Sequence, residues 1–130
     1  MQRAETGRVG DVTRRVALPL VAAGGAVGAG ARWGILAVVG SSGFPWPTLI
    51  TNLVGCALLG VFLGRRSPPS IRLFFGAGLC GGLTTFSTFA FEMADLLREG
   101  GRGLAFTYLV TSVVGSLTAF QAGRVAGALR

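Results

Sequence analysis

The chain has 130 residues, of which 51% are apolar and only 13% charged, with 22 glycines. An ordinary soluble domain carries roughly 25% charged residues, so this chain lacks the polar surface to cover a globule in water. All twelve basic residues are arginine and histidine is absent, which excludes imidazole bases and histidine-ligated metals.

Residues 1–15 read as a polar N-terminal tail, expected to be loosely ordered through Thr13. A transmembrane domain over residues 16–126 and a short tail over 127–130 follow. A helix needs about 20 mostly apolar residues to cross a hydrocarbon core ~30 Å thick. The first such run extends from 16 to about 39, interrupted only by Arg32. It ends in Gly40-Ser41-Ser42-Gly43-Phe44-Pro45-Trp46-Pro47, a cluster of turn residues. The second run covers 48–64. A polar gap from Arg65 to Arg72 precedes the third, at about 73–94. A second gap from Arg98 to Gly103 precedes the fourth, at about 104–123. The expectation is an all-α membrane protein with four spans. Barrel strands would alternate apolar and polar residues over about 10 positions, and these runs are apolar on every face. Arg14-Arg15 and Ala29-Gly30-Ala31 resemble a secretory signal. The segment is nevertheless long enough to span, and three more runs follow it.

Four spans put the N-terminal tail, the second connection and the C-terminus on one side. That side carries Arg3, Arg8, Arg14, Arg15, Arg65, Arg66, Arg72, Arg124 and Arg130; the other carries Arg98 and Arg102. The bias predicts cytoplasmic termini and explains the net charge of +7 as topology. A nucleic-acid footprint would instead want a basic face with interleaved aromatics. Cys56 and Cys80 lie inside spans without C-x-x-C spacing, as reduced packing residues do.

Gly24-x-x-x-Gly28 in the first span is spaced for close helix packing. The third span is different. Gly81-Gly82-Leu83-Thr84-Thr85-Phe86-Ser87-Thr88-Phe89 gathers poor helix formers at mid-span, which predicts a helix broken near the bilayer centre. Freed carbonyls there would suit a cation and freed amides an anion; a kink patched by threonine hydroxyls is the plainer outcome. Asn52, the single asparagine, brings two donors and one acceptor into the second span, for an ion or for a neighbouring helix. Arg32 must reach water, an acid or an anion path, and its place near one end of its span permits snorkelling. Tyr108, Ser112 and Ser116 share one face of the fourth span, either as a hydrated path or as interhelical glue. Glu92 and Asp95 fall at the end of the third span and the other spans carry no acid. A small proton-coupled exporter normally needs a central acid, so the mostly neutral donors favour an anion.

These motifs resemble the Fluc/CrcB family of fluoride channels over about residues 24–123. They are Gly24-Gly25-x-x-Gly28-Ala29-x-x-Arg32, Pro47-Thr48-Leu49-x-x-Asn52-x-x-Gly55 and the Gly81-to-Phe89 segment, with Tyr108 and Ser112 matching more loosely. The resemblance implies a passive fluoride channel built as an antiparallel dimer, with the broken third helices crossing at its centre. It implies one structural Na+ held by backbone carbonyls of Gly81 and Thr84. It places Asn52, Phe86, Ser87, Thr88, Phe89, Tyr108 and Ser112 along the fluoride path, and Arg32 and Glu92 in vestibule or structural roles. A phenyl ring has a positive edge, so Phe86 and Phe89 can meet an anion edge-on. The arginine bias further suggests a chain that inserts one way and pairs with a related subunit of opposite bias; a dimer of this chain alone is the alternative. Two other readings are a small proton-coupled multidrug exporter and a non-transporting scaffold.

Overall fold

The computed structural model describes the backbone of residues 2–40, 43–65 and 67–129, and within them the side chains from Arg15 onward. Ser41 and Ser42 of the expected turn, and the side chains of Arg3, Arg8, Arg14, Arg66 and Arg130, lie outside the described residues.

Every long apolar run is helical. α1 is Gln2–Val38, so its backbone continues back through the segment expected to be a loose tail. Its membrane-length part is Arg15–Val38. α2, Trp46–Gly64, starts on Pro45 with Pro47 in its first turn, where a missing amide hydrogen costs nothing. The third span is Pro69–Arg98 and consists of two helices. α3 covers residues 69–83, and its middle, Arg72–Cys80, is π-helical. α4 is Phe86–Arg98. A turn through Gly100, whose φ of 79° favours glycine, leads into α5, Arg102–Ala128. The chain is therefore an all-helical, multi-pass membrane protein with four spans. The π-helical stretch has no signature in the apolar pattern and was not expected.

Glycines set how the spans pack. A Cβ on Gly24 would collide with the Phe74 carbonyl, one on Gly28 with the Leu79 carbonyl, and one on Gly82 with the Gly25 carbonyl. α1 and α3 thus touch backbone to backbone and run parallel. The same holds for α2 and α5. Gly60 meets the Phe120 carbonyl, Gly64 that of Arg124, Gly123 that of Ala57 and Gly127 that of Val61. Lipid tails are as apolar as leucine, so close backbone approach and dispersion carry this packing. The expected packing role of Gly24 and Gly28 holds; the matching pair on α2 and α5 was not singled out. The outward faces carry Val38, Phe91, Phe106 and Leu117, as a lipid-facing surface requires.

Candidate functional site

The third span breaks where the glycine–threonine run predicts. Thr84 (φ −80°, ψ 153°) and Thr85 (φ −147°, ψ 121°) are both extended, between the end of α3 at Leu83 and the start of α4 at Phe86. Two helix ends therefore face one another inside a span. The last carbonyls of α3 and the first amides of α4 lack intrahelical partners, and unsatisfied groups in such surroundings are costly.

Side chains satisfy much of this demand. The Thr85 N–H donates to Asn52 Oδ1 at 2.8 Å, and Asn52 Nδ2 donates to the Thr85 carbonyl at 3.2 Å. The asparagine amide thus replaces a peptide group across the gap and splices α2 to the break. Its second N–H remains for another acceptor. Thr85 caps α4: its hydroxyl accepts from the Thr88 N–H at 3.2 Å and donates to Thr88 Oγ1 at 3.0 Å, with Ser87 Oγ 3.3 Å away. On the other side, the Thr84 N–H and hydroxyl both donate to the Cys80 carbonyl, at 3.0 and 2.9 Å. Arg32 Nη1 reaches the Thr84 carbonyl at 3.4 Å. Of the outcomes open to this arginine, its side chain turns to the break.

A second polar station lies two turns along α4. Glu92 accepts from the Thr48 hydroxyl at 2.8 Å and from the Tyr108 hydroxyl at 2.7 Å. The Thr51 hydroxyl donates to the Thr48 carbonyl at 2.9 Å. Thr48, Thr51 and Tyr108 are fully buried, so this carboxylate is held inside the bundle by neutral donors.

An aromatic file connects the two stations. The Phe86 and Phe89 ring centres are 6.0 Å apart, Phe89 and Tyr108 5.0 Å, and Tyr108 meets Phe44 edge-on at 5.5 Å. Phe44 reaches in from the α1–α2 connection and, with Phe89, packs on the buried cluster of Leu49, Leu96, Ala105 and Tyr108. Phe86 is 79% exposed on this single chain. It borders an open, mostly apolar groove of about 1010 Å³ shared with Asn52, Thr84, Thr85, Phe89 and Ser112. Ser112 is 7% exposed, and its hydroxyl is the one buried side-chain polar atom without a partner among the described residues.

The structure therefore brings Asn52, Thr84, Phe86, Phe89 and Ser112 to one groove, which Gly81 also borders. Ser87 and Thr88 form the first turn of α4 behind Thr85. Tyr108 and Ser112 share the expected face, with Tyr108 already engaged to Glu92. Sequence reading set Thr85 in the Gly81-to-Phe89 motif without giving it a role of its own, although the break is organised around it. A threonine ahead of a helix start is a cap signal, and Thr85 could have been found that way. The same reading set Thr48 in the second-span motif and Phe44 in the turn cluster but gave neither a place at the site, which they reach through tertiary packing.

No cluster of three or more candidate metal-ligating side chains occurs among the described residues. The arrangement offers hydroxyl, amide and backbone groups to an ion.

A family model of CrcB-like proteins (camphor resistance, CrcB) matches residues 19–124. The fluoride-specific ion channel FluC of Chlorobium phaeobacteroides is 42% identical over 118 residues, covering 85% of this chain and 91% of its own. The protein of that name from Sphingopyxis alaskensis is 46% identical, covering 81% and 90%. That from Deinococcus radiodurans is 43% identical, covering 83% and 92%. With the four spans, the mid-span break and a match over nearly the whole membrane portion, this chain belongs to the CrcB family, a family of ion channels and not of enzymes.

Proposed function

We propose that the protein is a fluoride-specific channel that lets fluoride leave the cytoplasm passively, down its electrochemical gradient, and so reduces fluoride toxicity. The observation that carries this reading is the break at Thr84–Thr85, spliced by Asn52 and flanked by Phe86 and Phe89. Fluoride is small and strongly hydrated, so a dry path must replace its water with donors. The spare Asn52 N–H, the unpartnered Ser112 hydroxyl and the hydroxyls of Ser87 and Thr88 are such donors. Phenyl edges at Phe86 and Phe89 add positive electrostatic potential without a binding charge that would trap the ion. Glu92 fixes the Tyr108 hydroxyl through its 2.7 Å bond.

A structural Na+ fits the carbonyl end of the break. Gly81 and Thr84 are hard oxygen donors, Gly81 has open space beside it, and both border the groove. Two carbonyls from one chain leave a buried cation largely unliganded, so the same pair from a second subunit is needed, which makes four oxygens. The Na+ and the antiparallel dimer are therefore one proposal, in which Gly81 and Thr84 hold the ion. Bound there, it supplies a fixed positive charge and a clamp between subunits.

The termini are assigned to the cytoplasm. Arg15, Arg65, Arg72 and Arg124 lie toward one end of the bundle, Arg98 and Arg102 toward the other. This bias favours pairing with a related subunit of opposite orientation over a dimer of this chain alone. Tags at both termini, probed from each side of the membrane, test it; half the copies inverted would overturn it.

Liposomes loaded with fluoride test the function. The protein should release fluoride without a proton gradient, and Phe86→Ile or Asn52→Asp should abolish release while assembly persists. Release that requires a proton gradient would instead indicate a small proton-coupled exporter. No release at all would leave a membrane scaffold.

A further inference from the structure

We propose that Arg32 is a positioning residue for the break: its guanidinium acts on the Thr84 carbonyl as a built-in cation, and its role is not to attract the permeating anion. The placement follows from spacing and packing together. Gly24, Gly28 and Arg32 are four residues apart and share one face of α1. Along that face, the first two positions meet the Phe74 and Leu79 carbonyls of α3, and the third reaches the Thr84 carbonyl with Nη1 at 3.4 Å. A Cβ on Gly24 or Gly28 would strike backbone, so the missing side chains hold the helices close enough for the arginine to reach.

The charge matches what it meets. α3 ends at Leu83, and the C-terminal end of a helix carries partial negative charge that favours a cation. Thr84 follows immediately, in an extended conformation whose carbonyl no longer serves a helical bond. A guanidinium there takes one lone pair of that carbonyl, leaves the other for the proposed Na+, and complements the dipole. The amide end of the break is served separately, by Asn52 and by the Thr85 cap. Arg32 therefore holds the carbonyl side and Asn52 the amide side. An intramembrane arginine, costly when unpaired, thereby has its partner.

The sequence contains one Thr-Thr dipeptide, Thr84-Thr85. Labelling threonine with carbonyl 13C and with 15N in the reconstituted protein yields a single carbonyl–amide cross-peak that reports the two atoms of the break directly. Removing the guanidinium in Arg32→Gln should move the Thr84 carbonyl resonance upfield. Arg32→Lys keeps the charge but has a shorter stem and no fork, and at 3.4 Å the contact is already at the end of its reach, so the resonance should move there too. Arg102→Gln, which removes a charge far from the break, should leave it in place. Fluoride conductance should fall by comparable factors in Arg32→Gln and Arg32→Lys, with the half-saturating fluoride concentration unchanged.

An unmoved cross-peak in Arg32→Gln overturns the proposal. So does restored conductance in Arg32→Lys with the resonance displaced, because charge alone would then suffice. If Arg32→Gln does not fold, the lysine variant alone decides by the same two readouts. The conductance arm rests on the channel reading and the resonance arm does not. A wild-type protein that fails to conduct fluoride would therefore sink that reading while the cross-peak still tests the arginine.

Discussion

Replacing Asn52 by alanine should loosen the break by a predictable amount. The substitution removes two hydrogen bonds, at 2.8 and 3.2 Å, and strands the Thr85 N–H and carbonyl together. Thr85 is buried at 7% exposure, so water does not readily replace the asparagine. Each stranded buried group costs about 1–3 kcal/mol, giving a loss of about 2–6 kcal/mol. The low end is the better guide, because membrane-embedded hydrogen bonds average about 0.6 kcal/mol and the disrupted state finds other partners. Asn52→Asp keeps the acceptor facing the Thr85 N–H, so that amide stays bonded, while the Thr85 carbonyl loses its donor and the span gains a costly intramembrane acid. Amide hydrogen exchange in detergent reads this locally. The Thr85 amide should exchange roughly 10- to 100-fold faster in Asn52→Ala, since 1.4 kcal/mol is tenfold, and much less so in Asn52→Asp. If both variants protect the Thr85 amide as the native chain does, Asn52 does not splice the break, and the assignment of its spare donor to an ion falls with it.

Four other outcomes are expected. Gly28→Leu should separate α1 from α3, because the added atoms meet the Leu79 carbonyl and the Leu83 amide nitrogen, which are backbone and do not yield. The cost should exceed the ~1–3 kcal/mol of ordinary overpacking, read as loss of folded protein in thermal or denaturant titration. Gly30→Ala, with nothing within 4 Å, should be neutral or stabilising by about 0.5–1 kcal/mol in the same assay. Thr85→Val should destabilise the start of α4 by about 0.5–2 kcal/mol through loss of its cap, seen as faster exchange of the Thr88 amide. Tyr108→Phe removes the 2.7 Å bond to Glu92 while leaving Thr48 in place. It should cost about 1–3 kcal/mol in thermal denaturation without disturbing assembly.

What the sequence decided by itself is what depends on local composition. Apolar runs long enough for ~30 Å of hydrocarbon specify four spans, and the Gly81–Thr85 run weakens the third helix wherever it is placed. The break was therefore legible to within a residue or two, and the resemblance of the motifs led to the family. Partnership was not legible. Asn52 and Thr85 are 33 positions apart, Arg32 and Thr84 are 52, and Thr48 and Glu92 are 44. Nothing in a sequence states which of several polar side chains on four helices will face which. That was settled when backbone contact at Gly24, Gly28, Gly78 and Gly82, and again at Gly60, Gly64, Gly123 and Gly127, fixed the register and rotation of each helix pair. Hydrophobicity carries a segment into the bilayer but orients it only weakly about its axis, because lipid tails are as apolar as the side chains they replace. Only the fit of one backbone against another chose the faces, and so turned a lone asparagine into a splice and a lone arginine into a tether.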